Sequence, residues 1–255
     1  MACRLTGKAG FDRYASTAVG SVNRREVFAE RPAAKWQVLI DFDGTIAPDD
    51  PTDHLFERFA DPYWRVLEEE WQSGRISSRE CMQQQVDLLR VSPRVLDEEI
   101  NAIRIDQGFH AFVSFCRGCG ADTKIVSDGF DRVVRTALGN EDLDIPFFAN
   151  KLVWRGQDRW RLAFPHKRAD CRVWAANCKC SHGRCPSALP RVVIGDGRSD
   201  FCMSLTADFV IAKGALADFC RANGRPYATF GNFFDATAQL SAWLSGSPVR
   251  AQLCP

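Results

Sequence analysis

Asp41-Phe42-Asp43-Gly44-Thr45 places two carboxylates at i and i+2, then a residue that lets the chain turn sharply, then a hydroxyl suited to the next turn. At a strand end, side chains two apart point the same way, so such a pair can share a hard cation. Asp-x-Asp alone is a common acidic turn. Here Gly-Thr follows it, and the apolar run Trp36-Gln37-Val38-Leu39-Ile40 precedes it, which makes it a candidate site. Two more runs end on similar chemistry. Lys124-Ile125-Val126-Ser127-Asp128-Gly129 finishes on a hydroxyl and on backbone N–H groups, Gly129 included, that can meet an anion. Taken alone, Ser127 reads equally as a helix N-cap. Gly195-Asp196-Gly197-Arg198-Ser199-Asp200 again puts two carboxylates at a strand tip, which alone could be an acidic loop.

These tips must be held by a scaffold. Short apolar runs at 36–40, 122–126, 191–194 and 209–211 predict buried strands, and helices are predicted at 109–119, 131–138, 201–205, 215–223 and 233–244. Residues 152–154 and 160–163, either side of Gly156-Gln157-Asp158, read as a hairpin. Residues 52–106 are helical in character throughout, with helix starts at Pro62, at Ser77 or Ser78, and at Ser92-Pro93. The pattern predicts an α/β fold, a Rossmann-like parallel sheet flanked by helices, with a small α-helical module inserted. Its bounds are 36–50 with 107–255 for the α/β core and 51–106 for the insert. Ligands in such sheets bind beyond the carboxyl ends of the strands. Residues 1–35 mix Gly, Ala, Ser and Arg with little periodicity and are expected to be a disordered extension. No stretch within them resembles a secretory signal.

Composition bounds the function. Thirty-three basic and 32 acidic residues leave a net charge of +1, which argues against a nucleic-acid partner. No apolar run approaches the ~20 residues of a membrane helix, so no membrane partner is expected. Eleven cysteines, an odd number, suit a reducing cytoplasm better than a disulfide framework. Only seven of the basic residues are Lys, so each can be weighed singly. Between Ser127 and Asp196 stand Lys151, Lys167 and Lys179. Lys179 lies 17 residues before Asp196, room for a helix of moderate length.

Asp-x-Asp-Gly-Thr, a Ser after a second strand, a Lys, and Gly-Asp-x3-Asp together resemble the haloacid dehalogenase superfamily of phosphotransferases. The helical insert is similar to that family's C1-type cap. Phe164-Pro165-His166, a Cys-rich segment and Cys178-Lys179 resemble the branch holding the methionine-salvage phosphatases and the phosphoethanolamine/phosphocholine phosphatases. In that branch the Lys follows a Cys, which selects Lys179, with Lys167 second. The resemblance spans about 36–230; the 35-residue lead and the Gly197-Arg198-Ser199 interior depart from it.

The resemblance implies a phosphomonoester hydrolase. Asp41 would be the nucleophile, Asp43 the general acid and base, and Ser127, Gly129 and Lys179 the phosphate holders. Mg²⁺ would rest on the Asp41 carboxylate, the Asp43 carbonyl and Asp196. Thr45 would support the turn, and Asp200 would bond a metal-bound water or orient Lys179. The substrate would be a small phosphorylated metabolite; a phosphoserine-phosphatase-like or phosphoethanolamine/phosphocholine phosphatase activity and a silent regulatory binding module are the alternatives. Oligomeric state is open. Asp49, Asp50, Asp53 and His54 read as a solvated acidic helix start, and Trp64 and Trp71 as packing between cap helices. Cys171, Cys178, Cys180 and Cys185 cluster with His166 and His182, but spacings of x6, x1 and x4 are not those of a zinc ribbon, so free thiols are expected. Cys116-x2-Cys119 reads as packing.

Overall fold

A computed structural model describes residues 36–183 and 189–246. The expected N-terminal extension and Cys185 lie outside them. Among the described residues seven strands form one sheet in the order β4-β3-β2-β1-β5-β6-β7. They are β1 (Trp36–Ile40), β2 (Ala121–Phe130), β3 (Phe147–Trp154), β4 (Trp160–Ala163), β5 (Arg191–Gly195), β6 (Phe209–Ala212) and β7 (Tyr227–Thr229). All pairings are parallel except β3 with β4, the expected hairpin. β1 lies between β2 and β5, and all five of its residues are buried, which is why it is apolar but for Gln37. Its alternation splits the core: Val38 and Ile40 join one apolar cluster, Leu39 the other, on the opposite face.

Between β1 and β2 come α1 (Pro51–Phe59), α2 (Trp64–Gln72), α3 (Ser78–Leu88), α4 (Pro93–Asn101) and α5 (Phe109–Gly118). Ser77 caps α3 through a reciprocal bond pair with Glu80, and Pro93 opens α4 at a position that needs no N–H. α5 packs with the last helix, α9 (Phe233–Leu244), through Phe109, Phe112 and Phe233, with ring centroids 4.8 and 5.1 Å apart. The others are α6 (Asp131–Asn140), α7 (Phe201–Ser204) and α8 (Gly214–Ala222). The guanidinium of Arg132 on α6 grips the Asp97 carboxylate on α4 with two bonds, tying the helical insert to the core.

Three elements depart from expectation. β7, three residues long, is too short to register as a periodic run, yet Tyr227 and Ala228 are buried beside β6. Lys179 does not precede a moderate helix among the described residues; it opens a 3-10 turn, Lys179–Gly183. β2 also runs on past Val126. Its register against β3 shifts between Val126 and Phe130, so Ser127-Asp128-Gly129 bulge out of the ladder. Their carbonyls are met by side-chain amides: Asn150 donates to Asp128 O at 2.6 Å and Asn177 to Ser127 O at 2.9 Å. The bulge is what presents Ser127 away from the regular sheet.

Candidate active site

Asp41 is the residue immediately after β1, and its N–H donates to Ile194 O at 2.9 Å, extending the pairing with β5 by one bond. The Phe42 N–H donates to Asp41 Oδ1 at 2.8 Å and fixes the side chain. Gly44 has φ +72°, and a Cβ there would stand 2.5 Å from Asp196 Oδ2. Gly44 therefore meets both requirements, a left-handed turn and a close approach. Thr45 Oγ1 donates to Asp196 Oδ1 at 2.6 Å and pins the β1 loop to the β5 loop. Gly44→Ala is expected to displace Asp196, cutting kcat by ~10-fold or more through misplaced groups, with a loss of thermal stability. Unchanged kcat in that variant would contradict the close packing of these loops.

Lys179 is 3% exposed and uses all three ammonium protons: on Asp41 Oδ1 at 2.7 Å, Asp200 Oδ1 at 2.8 Å and Ser199 Oγ at 2.7 Å. Burial alone would lower its pKa; Asp200, Asp41 and Asp128 overturn that and hold it well above the ordinary lysine value. Lys151 and Lys167 are exposed, on β3 and in the loop after β4. Asp200 is fully buried, and its second oxygen accepts the N–H groups of Asp196 and Gly197 at 3.2 and 3.3 Å. Both Asp200 oxygens thus have partners within the protein, one of them the Lys179 ammonium. Asp41, Asp196 and Asp200 each bring a carboxylate oxygen within 4.8 Å of the others. Burial first, then the Asp200 and Asp196 charges, push the Asp41 carboxyl well above its usual range, against the opposing pull of Lys179. Burial and then Asp200 likewise raise Asp196. An all-oxygen set of crowded carboxylates is the donor chemistry that a hard divalent cation relieves.

Asp43 is held on the other side of the turn. Its Oδ1 accepts the Thr52 hydroxyl at 2.7 Å and the Thr52 N–H at 3.2 Å, and its Oδ2 accepts the Ser127 hydroxyl at 2.8 Å. Ser127 is fully buried behind Asp43 rather than at the cleft surface, and its oxygen accepts the Gly129 N–H at 2.8 Å. A Cβ on Gly129 would lie 2.4 Å from Asp43 Oδ2, so this position admits no side chain. A cleft of about 200 Å³ is lined by Asp41, Asp43, Gly129, Lys179 and Asp196 from the sheet end, and by helices α1 to α3 opposite.

Thr52 and Ser199 were not anticipated as site residues, although both hydroxyls bond charged groups there. Thr52 sits in the first turn of α1 and Ser199 inside the Asp196–Asp200 motif, yet neither spacing reveals a contact made by folding. Asn177 belongs with them: its N–H donates to Asp128 Oδ1 at 2.8 Å and its amide to Phe148 O and Ser127 O, fastening the Lys179 loop to β2. Trp71 corrects the packing expectation, since it lines the cleft, whereas Trp64 is buried as expected. Asp50 and Asp53 also line the cleft, while Asp49 and His54 do not. Asp50 caps α1 with its side chain accepting Asp53 N–H at 3.0 Å.

Burial, then Asp43 and Asp53, push Asp50 up to about 8; burial, then Glu68 and Asp43, push Asp53 up to about 6. Unfolded, both ionise near ~3.9, so the folded protein binds the extra protons and loses stability as pH rises through the folded values. His182, pushed down to about 4 by burial and by His166 and Lys124, acts oppositely, and only below its unfolded value of ~6.5. The clean window is therefore pH ~6.5 to about 8. There the melting temperature of metal-free protein is expected to fall, and Asp50→Asn to flatten the fall. A flat wild-type curve would contradict the crowding of Asp50 against Asp43 and Asp53.

Residues 38–204 match the profile of the haloacid dehalogenase-like hydrolases. The chain belongs to that family. Two bacterial relatives of this hydrolase are named 2-hydroxy-3-keto-5-methylthiopentenyl-1-phosphate phosphatase. The one from Brevibacillus brevis is 33% identical, over 79% of this chain and 93% of its own length. The one from Geobacillus kaustophilus is 34% identical, over 78% and 92%. Among solved structures, a phospho-aspartyl intermediate analogue of phosphoserine phosphatase superposes on the hydrolase with a TM-score of 0.62 at 20% identity, covering 81% of this chain and 99% of that one. That likeness establishes the shared fold. No helix among the described residues is long and apolar enough to cross a membrane.

Proposed function

We propose that this hydrolase cleaves a small phosphomonoester with Mg²⁺ through an aspartyl-phosphate on Asp41. The observation that carries the proposal is the convergence of Asp41, Asp43, Asp196 and Lys179 on one cleft at the carboxyl end of the sheet. Asp41 and Asp196, with the Asp43 carbonyl, would hold the ion. Bound there, Mg²⁺ screens the repulsion between a carboxylate and a phosphate dianion. Asp41 attacks phosphorus, the ester P–O bond breaks, and Asp43 gives the leaving alkoxide its proton. Asp43 then takes a proton from water, which attacks the same phosphorus and returns Asp41 and inorganic phosphate. To hold the phosphoryl oxygens, Lys179 would give up one of its three present acceptors, the Gly129 N–H would leave the Ser127 hydroxyl, and Ser127 would exchange Asp43 for one of those oxygens. Helices α1–α4, residues 51–106, act as the cap over the leaving group, and residues 36–50 and 107–255 as the core.

Likeness to the Brevibacillus and Geobacillus enzymes supports a methionine-salvage 2-hydroxy-3-keto-5-methylthiopentenyl-1-phosphate as substrate. A second reading rests on the cap side of the cleft. Asp50, Asp53 and Glu68 stand there with Phe56 and Trp71, a wall suited to a cationic leaving group such as that of phosphoserine, phosphoethanolamine or phosphocholine. Relative kcat/KM across these esters separates the two. Free thiols at the described cysteines, and an odd total of eleven, fit a reducing compartment, and we place the enzyme in the cytoplasm. EDTA is expected to abolish hydrolysis of p-nitrophenyl phosphate and excess Mg²⁺ to restore it; indifference to the chelator would sink the metal-assisted reading.

A further inference from the structure

The first turn of α3 and the loop that delivers Lys179 meet at the wall of the cleft. Ser78 opens α3, and its hydroxyl oxygen accepts the Ala176 N–H at 3.0 Å. Both residues are buried, so this bond joins the helical insert to the core out of reach of water. The same hydroxyl lies against the Asp128 carboxylate, which accepts the Asn177 N–H at 2.8 Å. One residue on, Arg79 Nη2 donates to Ala175 O at 3.0 Å, and its guanidinium lies 5.6 Å from the centre of the Trp174 ring. Trp174, Ala175 and Ala176 are thus each met by one of two consecutive residues of the insert.

Trp174 shows that the junction is maintained against strain. Its φ is +48°, in the left-handed region that a bulky side chain rarely enters, and the residue is 60% exposed. Burial does not hold it there; the guanidinium over its ring and the bonds at Ala175 and Ala176 do. The hold passes to Lys179 within three residues. The Asn177 amide is fastened to Ser127 O and Phe148 O, and its carbonyl accepts the Lys179 N–H at 2.8 Å. From that backbone the ammonium reaches Asp41 and Asp200. Ser78, Asp128 and Lys179 all line the cleft, so the junction and the ammonium border the same space.

We propose that Ser78 and Arg79 are positioning residues that latch the cap to the Lys179 loop, so that the ammonium is correctly set only while α1–α4 are seated over the cleft. The inference rests on the phosphatase reading and on the role of α1–α4 as its cap. Neither side chain acts on the reacting atoms; each acts through the backbone of 174–177. The arrangement ties the closing of the site to the placing of its charge. With the latch undone, Lys179 is less well aimed at the phosphoryl oxygens, and a displacement of ~1 Å is enough to slow turnover ~10²-fold. Chemistry on an open, wet cleft is disfavoured by the same contacts.

The test compares Ser78→Ala, Arg79→Ala and Arg79→Lys with the wild-type full chain by amide hydrogen exchange, and by kcat and KM for p-nitrophenyl phosphate with Mg²⁺. In both alanine variants exchange in residues 172–178 is expected to quicken ~10-fold or more, while that in β1 stays at the wild-type rate. Their kcat is expected to fall ~10-fold with KM within about 2-fold of wild type, the split left by losing a transition-state contact. Arg79→Lys, which keeps a cation over the ring and a donor for Ala175 O, is expected to restore most of both. In a Lys179→Met background either alanine change should lower kcat no further, whereas a general loss of stability would add. Exchange at the wild-type rate in both alanine variants would overturn the latch, whatever the turnover. So would quickened exchange with unchanged kcat, or losses that add in full to that of Lys179→Met. Failure of the phosphatase reading shows separately, as a wild-type chain that hydrolyses no phosphomonoester; exchange then decides alone whether the insert holds the loop.

Discussion

Asp41→Asn is expected to lower kcat on any phosphomonoester by ~10⁴-fold or more, the scale at which loss of a covalent nucleophile sits. The amide keeps the shape of the carboxylate and can still accept the Phe42 N–H that holds Asp41 at 2.8 Å. It cannot attack phosphorus, because its oxygen lacks the charge and basicity. The same change removes one of three crowded carboxylates, in a position where burial and the Asp200 charge already disfavour ionisation. Lys179 retains Asp200 and Ser199 as partners. Stability should therefore stay within ~1 kcal/mol of wild type or rise, read from a thermal melt at fixed pH. Lost activity with lost fold would leave the role of Asp41 structural; retained activity would remove it from the chemistry.

Lys179→Met is expected to fail in both respects. Its ammonium is the one cation among Asp41, Asp200 and Ser199, and removing it leaves two buried carboxylates facing each other. Breaking a buried ion pair from one side costs ~3–5 kcal/mol. Mg²⁺ should recover part of that, since it supplies charge to the same acids. Turnover should fall by a further ~10²–10³-fold through the lost contact with the phosphoryl oxygens. Lys179→Arg should not rescue it, because a planar fork cannot reach three converging acceptors set for a compact ammonium. A Lys179→Met enzyme with wild-type kcat and melting temperature would contradict the site described here.

How much of this was legible differs by element. The strand tips were, because a buried parallel strand reads as an apolar run and the polar residue that ends it stands out: Asp41 after Ile40, Ser127 after Val126, Asp196 after Gly195. The lysine was narrowed to three, and folding separates them, leaving Lys179 buried and the other two in solvent. Contacts that depend on a bulge or a loop were not legible. Thr52 reaches Asp43 only once α1 is docked, and Ser127 turns to Asp43 only because β2 slips register past Val126. Trp71 sits at a spacing that packing and cleft lining share, so helical period could not choose between them. The bond from Ala176 to Ser78 likewise exists only in the folded chain.

The central claim is that phosphate passes through Asp41. It is tested most directly by mixing Asp43→Asn, in which hydrolysis of the intermediate is slowed, with p-nitrophenyl phosphate and Mg²⁺, quenching in acid and mapping the peptides by mass. The expected result is a single phosphoryl group on the peptide carrying Asp41, labile to hydroxylamine and missing from the Asp41→Asn, Asp43→Asn double variant. Phosphate on another residue would contradict the account, as would p-nitrophenol release by the double variant at the rate of Asp43→Asn.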